Sequence, residues 1–299
     1  MIYIRGNRAD YDRWRDEFGA AGWGFDDVLP YFVQSESNAR LAGPWHGVDG
    51  PLRVEDPLYT HHLSRDWVAA AIDWGLPDNN DFNGATQAGA GLYQLTCRDG
   101  RRWSVADAYL HPVADRANLT VRTEATVTRI LIENGAATGV VYRHAGVEQT
   151  ARADGEVLLC AGVIASPQLL MLSGIGPAEH LREHDVEVLL DAPAVGAGLQ
   201  DHASVPLVWH THGTTDQRDL AESEAALGQW LSERRGPLTS NIAETGMFFS
   251  TKGNAVPDIQ VHAGATTFWH DGREHSDRPG AGARPSTSGS TSTGPTWTR

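Results

Sequence analysis

The residues that could do metal chemistry are two histidines and a glutamate in the second half of the sequence. In His180-Leu-Arg-Glu183-His184 the histidines are about one helical turn apart, the spacing with which some zinc hydrolases hold their metal while the glutamate activates water. No third ligand can be identified downstream, and charged residues at this spacing are also typical of a solvated helix face. We therefore retain a zinc hydrolase only as an alternative.

A second pattern could hold a phosphate-bearing ligand. Residues 157–160 (Val-Leu-Leu-Cys) show no polar alternation, which predicts a short strand buried on both faces of a parallel or mixed sheet. Ala161-Gly162 follow, and Ser166-Pro167 predict the cap and first turn of a helix. Small residues between a buried strand and a helix let a ligand approach the main chain closely. Tight packing at an ordinary turn would explain them equally well.

Other catalytic and nucleotide-binding motifs are absent or incomplete. Gly196-Ala-Gly198-Leu-Gln-Asp201 comes closest to the Gly-x-Gly-x-x-Gly loop of dinucleotide-binding enzymes, but it lacks the third glycine and no apolar helix follows it. The sequence contains neither the Gly-x-Ser-x-Gly frame of serine hydrolases nor a phosphate-binding loop that ends in Gly-Lys-Ser or Gly-Lys-Thr. Spacing alone therefore predicts an α/β protein with a strand end that could bind a ligand.

Charge and hydropathy exclude several classes of partner. The 299 residues include 24 basic and 38 acidic ones, a formal net charge of -14 at pH 7. Such a surface repels nucleic acid and anionic membranes, so we expect neither as a partner. No apolar run approaches the length of a membrane span, and the N-terminus turns polar too early for a secretory signal. We predict a cytoplasmic protein in which Cys97 and Cys160 are reduced core residues.

Hydrophobic periodicity divides the chain into a helical first part and a part rich in strands. It predicts helices in residues 10–19, 26–33 and 61–74, with an irregular loop over 77–91. From Asn118 the apolar period becomes two, which indicates successive strands, and Asn134-Gly135 predicts a hairpin turn. Beyond His202 we expect a second α+β unit with strands in residues 205–209, 244–250 and 258–263.

The end of the sequence has a different composition. From Pro279 onward almost every residue is Gly, Pro, Ser, Thr or Ala. Such a segment buries too little apolar surface to offset the entropy of ordering it. We predict that residues 273–299 form a disordered tail.

One long segment resembles a known family. Residues 162–177 (Gly-Val-Ile-Ala-Ser-Pro-Gln-Leu-Leu-Met-Leu-Ser-Gly-Ile-Gly-Pro) closely resemble the second signature of the glucose-methanol-choline (GMC) flavoprotein oxidoreductases, apart from Val163, where a smaller residue is usual. The resemblance extends over roughly residues 1–271. Its other landmarks, in chain order, are Tyr3-Ile-Arg5-Gly6, Leu29-Pro30-Tyr31-Phe32, His46-Gly47, Asp81-Phe82-Asn83-Gly84, Ala108-Tyr109-Leu110 and Leu199-Gln200-Asp201-His202.

This resemblance implies a fold of two interleaved parts. One is an α/β flavin-binding domain of nucleotide-binding type, and the other is an α+β substrate domain built on an antiparallel sheet. On this pattern, residues 1–56 and 100–203 would belong to the flavin domain, and residues 57–99 and 204–272 to the substrate domain. The first flavin segment lacks the family's glycine-rich loop, so we expect the chain to be incomplete at its N-terminal side.

The resemblance also assigns roles to particular residues. It implies FAD as the cofactor, with the main chain of Val127 meeting the adenine, Ala161 and Gly162 lining the dinucleotide, and Asp201-His202 near the flavin. Glu244 matches a substrate-cavity carboxylate that choline-oxidising relatives direct at a quaternary ammonium. A structural, hydrogen-bonded glutamate is an equally good interpretation of that position. As a substrate-cavity residue Glu244 would position the alcohol rather than take its proton, and it does not identify the substrate.

The predicted function is that of an FAD-dependent oxidoreductase acting on the CH–OH group of an alcohol. Its small alcohol substrate would be choline or another primary alcohol, oxidised to the aldehyde; the electron acceptor and the oligomeric state stay open. No catalytic residue is assigned, because the family's proton-accepting histidine and its partner are expected in a C-terminal part that this sequence does not contain. The alternative is an inactive family fragment that does not bind flavin.

Overall fold

The computed structural model describes residues 1–266 and 286–293, which form seven α-helices and fourteen strands. The helices are α1 (Arg8–Asp16), α2 (Phe25–Ser35), α3 (His62–Asp73), α4 (Gly162–Leu172), α5 (Ala178–Glu183), α6 (Gln217–Ala221) and α7 (Glu224–Glu233). The strands are β1 (Glu36–Asn38), β2 (Leu52–Val54), β3 (Gly89–Leu92), β4 (Cys97–Arg98), β5 (Arg101–Arg102), β6 (Ala125–Glu133), β7 (Ala136–His144), β8 (Val147–Arg152), β9 (Ile175–Gly176), β10 (Leu190–Asp191), β11 (Ala203–His210), β12 (Thr245–Phe249), β13 (Ile259–Gly264) and β14 (Ser286–Thr293).

The chain forms two units. The first contains Met1–Asp115 together with the chain from His202 onward, and the second is Arg116–Asp201. The junction between the two units falls between Asp201 and His202, and Met1–Asp115 belongs to one unit. The predicted segment boundaries at residues 56, 99 and 203, and the assignment of the segments to flavin or substrate domains, stay predictions.

The first unit is built around a five-stranded antiparallel sheet. Its strand order is β11–β14–β13–β12–β3, and every neighbouring pair is antiparallel. The family resemblance implied an antiparallel sheet for the substrate domain. The buried side chains of Phe82, Tyr93 and Phe248 form its core cluster, against which Ile2 and Ile4 pack. The N-terminus is held there because the Tyr3 amide donates to the carbonyl of Gln94 at 2.8 Å.

The second unit is a three-stranded meander with a helix packed on its first strand. Its order is β6–β7–β8, all antiparallel. The turn between β6 and β7 is Asn134-Gly135, whose φ angles of 52° and 78° suit the tight hairpin that the sequence predicted. The Ser173 hydroxyl accepts a hydrogen bond from the Ile130 amide at 2.8 Å and donates to the Leu169 carbonyl at 2.6 Å. This buried serine thereby ties the end of α4 to β6.

The start of α4 differs from the prediction. The helix begins at Gly162 with Ala161 as its N-cap, not at Ser166-Pro167, and Pro167 lies inside it. Gly162 has a φ of +85°, so the change of direction into the helix takes place at this glycine, four residues earlier than expected. Gly174, with a φ of +84°, follows the helix C-cap Ser173. The helix therefore ends directly before this glycine.

The prediction of a buried strand over residues 157–160 is wrong. These residues form no strand, Leu158 is 79% exposed and Cys160 is also exposed. Among the described strands none pairs with this segment, so its apolar side chains have no sheet to enter. The prediction that both cysteines lie in the core holds only for Cys97, which is buried. An unbroken apolar run indicates burial only where partner strands are present.

The predicted disordered tail is wrong for eight of its residues. Ser286–Thr293 form β14, which lies between β11 and β13 and pairs with both. Its backbone groups are used by two neighbours, and this pairing depends little on apolar side chains. The other residues of the predicted tail, 273–285 and 294–299, lie outside the described part of the chain.

The Ser173 contact generates a stability prediction. We expect Ser173→Ala to lower the free energy of unfolding by about 1–3 kcal/mol, because it leaves the Ile130 amide buried without an acceptor. Ser232→Ala is the matched control, since that hydroxyl is exposed and only donates to carbonyls of its own helix. Urea denaturation measures both; equal losses in the two variants would contradict the proposed link between α4 and β6.

Candidate functional site

The residues predicted to meet a dinucleotide lie in the second unit. Val127 is on β6 beside an irregularity in the pairing with β7, and its side chain is 37% exposed. Ala161 and Gly162 form the exposed entry into α4. A Cβ atom built on Gly162 would meet nothing within 4 Å, so the space beside its main chain is open. Strand β6 and helix α4 pack against each other, so these positions belong to two elements that are in contact within the unit.

These positions fit the dinucleotide part of FAD in their main-chain chemistry. The Ala161 N-cap offers no side-chain hydrogen bond to the helix, so amides of the first turn of α4 have no side-chain cap. Such amides and the helix dipole favour a negatively charged group. Gly162 adds unobstructed access, while Val127 has an exposed position at the edge strand β6. Val127, Ala161 and Gly162 are therefore the residues that could hold the cofactor.

Asp201 and His202 lie where one unit gives way to the other. Asp201 is the last residue of the second unit, and His202 begins the returning segment of the first, directly before β11. Both side chains are exposed. Their predicted position near the flavin stays a prediction.

Glu244 is enclosed by hydrogen-bond donors. Its side chain directly precedes β12, is 1% exposed and has both oxygens occupied. Oε2 accepts from the His61 amide at 2.8 Å and from the Ser64 hydroxyl at 2.7 Å, and Oε1 accepts from the Ser240 hydroxyl at 2.6 Å. This geometry supports the structural interpretation that the sequence left open: the carboxylate fixes the N-terminus of α3 to the start of β12.

His61 is held in a single neutral form beside Glu244. Its Nδ1 accepts from the Leu63 amide at 3.2 Å, so Nε2 carries the proton and donates to the Thr215 carbonyl at 3.0 Å. Burial lowers the pKa of His61, in agreement with a neutral ring. The histidine is the N-cap of α3 and has no nitrogen left for a substrate or a metal.

A buried charged network in the first unit was not assigned a role from the sequence. His46 lies between two carboxylates, with Nδ1 3.0 Å from Glu36 and Nε2 3.0 Å from Asp81. Arg5 forms a 2.8 Å ion pair with the other side of Glu36, and the Gly47 amide donates to the same carboxylate at 3.1 Å. Arg5, His46 and Asp81 lie within landmarks that carry the family resemblance, but Glu36 does not, and nothing in the spacing of these residues predicts that they meet.

The network is charged at neutral pH. Burial alone would lower the pKa of His46, but the hydrogen bonds to Asp81 and Glu36 raise it to about 9. Burial also works against ionised Glu36 and Asp81, yet the bonds from His46 outweigh it and lower the pKa of both carboxyl groups. An imidazolium between two carboxylates therefore joins β1 to the loop that carries Asp81.

The zinc alternative receives no support from the geometry. His180 lies in the six-residue helix α5, whereas His184 is its C-cap, and the His180 and Glu183 side chains form only a 3.9 Å exposed pair. Within the described residues no three His, Cys, Asp or Glu side chains are grouped as metal ligands.

None of the described helices is long and apolar enough to cross a membrane.

Solved oxidases share this fold. Pyridoxine 4-oxidase from Mesorbium loti matches with a TM-score of 0.81 and 28% identity, over 98% of this chain and 54% of that chain. A formate oxidase matches with a TM-score of 0.83 and 23% identity, over 98% and 56% of the respective chains. The class of protein that the structure defines is therefore the one that shares the fold of these oxidases.

The sequence places the chain within that class. Residues 1–204 match the model of the family described as GMC oxidoreductase, and the chain belongs to this family, whose members bind FAD. It is 40% identical to the oxygen-dependent choline dehydrogenase of Rhizobium etli over 91% of this chain and 50% of the relative. It is 38% identical to the alcohol dehydrogenase [acceptor] of Pseudomonas putida, over 92% and 51%. The chain thus spans about half the length of the curated relatives it matches.

The buried imidazolium generates a prediction on stability. We expect His46→Ala to lower the free energy of unfolding by about 3 kcal/mol or more, because it leaves two carboxylates without their shared partner. Since the folded pKa of about 9 exceeds the ordinary 6.5, this contribution is complete below about pH 6.5 and is lost as pH rises through 9.

Denaturation of the wild type and the variant across that pH range is the measurement. The wild type loses stability between about pH 6.5 and 9 and the variant loses much less there, so the two curves converge. His111→Ala is the control, because His111 is exposed and pairs only with Asp107. If the difference in free energy of unfolding between the wild type and His46→Ala stays constant up to about pH 10, His46 stabilises the protein through packing alone.

Glu244 gives a prediction that separates its two roles. Glu244→Ala leaves the His61 amide and the Ser64 hydroxyl without their acceptor, so we expect a loss of about 1–3 kcal/mol per group. Glu244→Gln keeps an acceptor oxygen and much of that stability. Glu148→Ala on β8 is the exposed control. If calorimetry finds that choline binds the wild type but not a stable Glu244→Gln protein, the carboxylate faces the substrate and the structural role is insufficient.

Proposed function

We propose that this chain is part of an FAD-dependent oxidoreductase that acts on the CH–OH group of an alcohol donor, choline or another primary alcohol, and forms the aldehyde. The observation that carries this proposal is the 40% identity to choline dehydrogenase across 91% of the chain. The mitochondrial choline dehydrogenase of Mus musculus supports it, with 40% identity over 88% of this chain and 44% of the relative.

The chain's own residues would contribute binding and positioning. The main chain at Ala161 and Gly162 would hold the dinucleotide at the start of α4, with Val127 beside the adenine. FAD, when bound, supplies an acceptor for the hydride that leaves the alcohol carbon. Glu244 would keep the start of α3 fixed to the sheet of the substrate region through its three hydrogen bonds. No residue of the chain is proposed as the catalytic base.

A second candidate is a family member that folds but does not bind flavin. A patch on the second unit favours this alternative: Leu158, Val163 and Ile164 are 79%, 70% and 72% exposed. Apolar side chains in such a patch lack the packing that would hold the α4 entry rigid around a ligand. The two candidates differ in one observable, the uptake of FAD.

Uptake is tested by purifying the chain, adding FAD, removing the excess by gel filtration and recording the visible absorption of the protein fraction. Retained flavin absorption supports the flavoprotein, and addition of choline under anaerobic conditions then tests whether the absorption bleaches. A protein fraction without flavin absorption supports the second candidate.

The contact at Gly162 generates a prediction with a matched control. We expect Gly162→Ala to weaken FAD binding about tenfold, a change of about 1.4 kcal/mol, because the new Cβ enters the open space beside the main chain. Gly135→Ala adds the same atom at a similar φ, +78° against +85°, also with nothing within 4 Å and in the same unit. The two variants should therefore lose similar stability but differ in FAD titration. Equal FAD affinities of the two variants would contradict the proposed contact between FAD and the main chain of Gly162.

Cys160 provides an independent readout of the same contact. It is exposed and next to Ala161, whereas Cys97 is buried and its burial, with Glu55 nearby, raises the thiol pKa to about 12. Iodoacetamide should therefore modify Cys160 alone. We expect FAD to slow this alkylation in the wild type and in Gly135→Ala, but much less in Gly162→Ala. Mass spectrometry of the labelled peptide measures the rate, and a rate that FAD does not change would place the dinucleotide elsewhere.

A further inference from the structure

Strand β8 is an open edge of the three-stranded sheet in the second unit. It pairs with β7 on one side, and no described strand lies along its other side. Every residue of Val147–Arg152 except Gln149 is exposed. Helix α4 packs on β6, which lies on the far side of β7 from β8. An uncovered edge of this length can pair with a strand of another chain.

The register shows which main-chain groups of β8 face this open edge. The Ala153 amide donates to the Thr138 carbonyl at 3.0 Å, so the main chain of residue 153 faces β7. Because this direction alternates along an antiparallel strand, residues 147, 149 and 151 also face β7. The N–H and C=O groups of Glu148, Thr150 and Arg152 therefore point outward, where no described strand offers them a partner.

These three residues allow β8 to pair with a second copy of itself. In an antiparallel pair centred on Thr150, that residue lies opposite Thr150 of the partner subunit. Glu148 then lies opposite Arg152 of the partner subunit, and Arg152 lies opposite the partner's Glu148. Each opposed pair can exchange main-chain hydrogen bonds, because both residues direct their N–H and C=O groups outward. The contact is isologous, so it closes at two copies.

Side-chain charge selects this register. Opposite charges directly across an antiparallel pair stabilise it, and like charges destabilise it. Centring the pair on Glu148 or on Arg152 would place that charge opposite itself. Centring it on Gln149 or on Ala151 would place Arg152 or Glu148, respectively, beyond the end of the partner strand. Only the pair centred on Thr150 engages all three outward residues and joins opposite charges.

Arg152 can form the intermolecular ion pair and keep its contact within the chain. Its Nη1 atom lies 2.6 Å from Glu133 and 3.2 Å from the Thr138 hydroxyl, and the Arg152 and Glu133 side chains are more than half exposed. A guanidinium has several N–H donors on three nitrogens, so it can bind a second carboxylate. The partner's Glu148 would meet these remaining donors.

The hairpin that ends in β8 differs in charge from the chain as a whole. Residues 136–152 contain two arginines and one glutamate, whereas the formal net charge of the chain is -14. Two copies therefore approach along this edge without the mutual repulsion that an acidic surface generates. A strongly basic partner would be attracted to the acidic remainder of the surface instead, so the charge favours a second copy of this chain.

We propose that the chain forms a two-fold symmetric dimer in which β8 of one copy pairs antiparallel with β8 of the other about Thr150. The two three-stranded sheets then become one six-stranded sheet with β6 at each outer edge. Val127, on β6, and Ala161 and Gly162, at the start of α4, take no part in this pairing. The inference is therefore independent of the proposed function.

Sedimentation velocity over a range of protein concentrations tests the dimer. We expect the wild type to pass from monomer to dimer, without larger species. Glu148→Arg places like charges opposite each other at two positions, so the dimer dissociation constant should rise about tenfold or more. Glu156→Arg is the matched control, because it makes the same change of charge at an exposed residue of the same unit outside the strands. A wild type that stays monomeric up to about 100 μM would overturn the proposal.

A pair of charge variants tests the register. Arg152→Glu places a glutamate opposite the partner's Glu148, so this variant should also dimerise poorly. Mixing Glu148→Arg with Arg152→Glu brings an arginine opposite a glutamate at both positions, and we expect a heterodimer although neither variant dimerises well alone. Circular dichroism checks that each variant is folded. If the mixture of folded variants stays monomeric, the pairing about Thr150 is wrong.

Thr150→Pro tests the main-chain hydrogen bonds. Proline lacks the N–H that Thr150 directs outward, and an edge strand tolerates it there because β7 does not use that group. We expect the folded variant to be monomeric, whereas Thr150→Val keeps the N–H and should dimerise. Dimerisation of a folded Thr150→Pro protein with the affinity of the wild type would contradict the proposal. FAD uptake by Glu148→Arg should equal that of the wild type, which separates this test from that of the proposed function.

Discussion

A buried carboxylate holds the first unit together. Glu36 is inaccessible to solvent, and such a group is tolerated only when donors and opposite charges surround it. Arg5 brings the N-terminal segment to it, His46 joins it to Asp81, and the Asn38 amide donates to it at 2.8 Å. The N-terminus, β1 and the loop after α3 must therefore assemble together, because a missing partner would leave charge uncompensated in the interior.

Glu244 imposes a similar constraint on the sheet. Its three donors come from the N-cap and first turn of α3 and from the segment before β12, so the carboxylate determines how the helix begins relative to the strand. On the neighbouring positions of this sheet, Gly246 makes room for Tyr93, and Tyr93 lies next to His262. Glu244 has every oxygen bonded, whereas the Nδ1 atom of His262 has no hydrogen-bond partner within the described part of the chain.

Local patterns predicted the elements whose stability is local. Period-two apolar residues and Asn134-Gly135 predicted the β6–β7 hairpin, and the helical period predicted α3 within a residue at each end. The failures share a cause. Residues 157–160 needed partner strands to become a strand, and Ser286–Thr293 became one because β11 and β13 accept its backbone. Strand formation depends on neighbours that a sequence window does not contain.

The sequence by itself determined the family and most helices, since signatures and periodicity are properties of nearby residues. Only the tertiary structure decided what the buried polar residues do. It brought His46 between Glu36 and Asp81, enclosed Glu244 by residues 180 and 183 positions away, and placed Tyr93 beside a histidine with an unused nitrogen. The partners of a buried polar group come from distant parts of the chain, and their geometry, which no local pattern encodes, determines whether that group is charged, satisfied or available to a ligand.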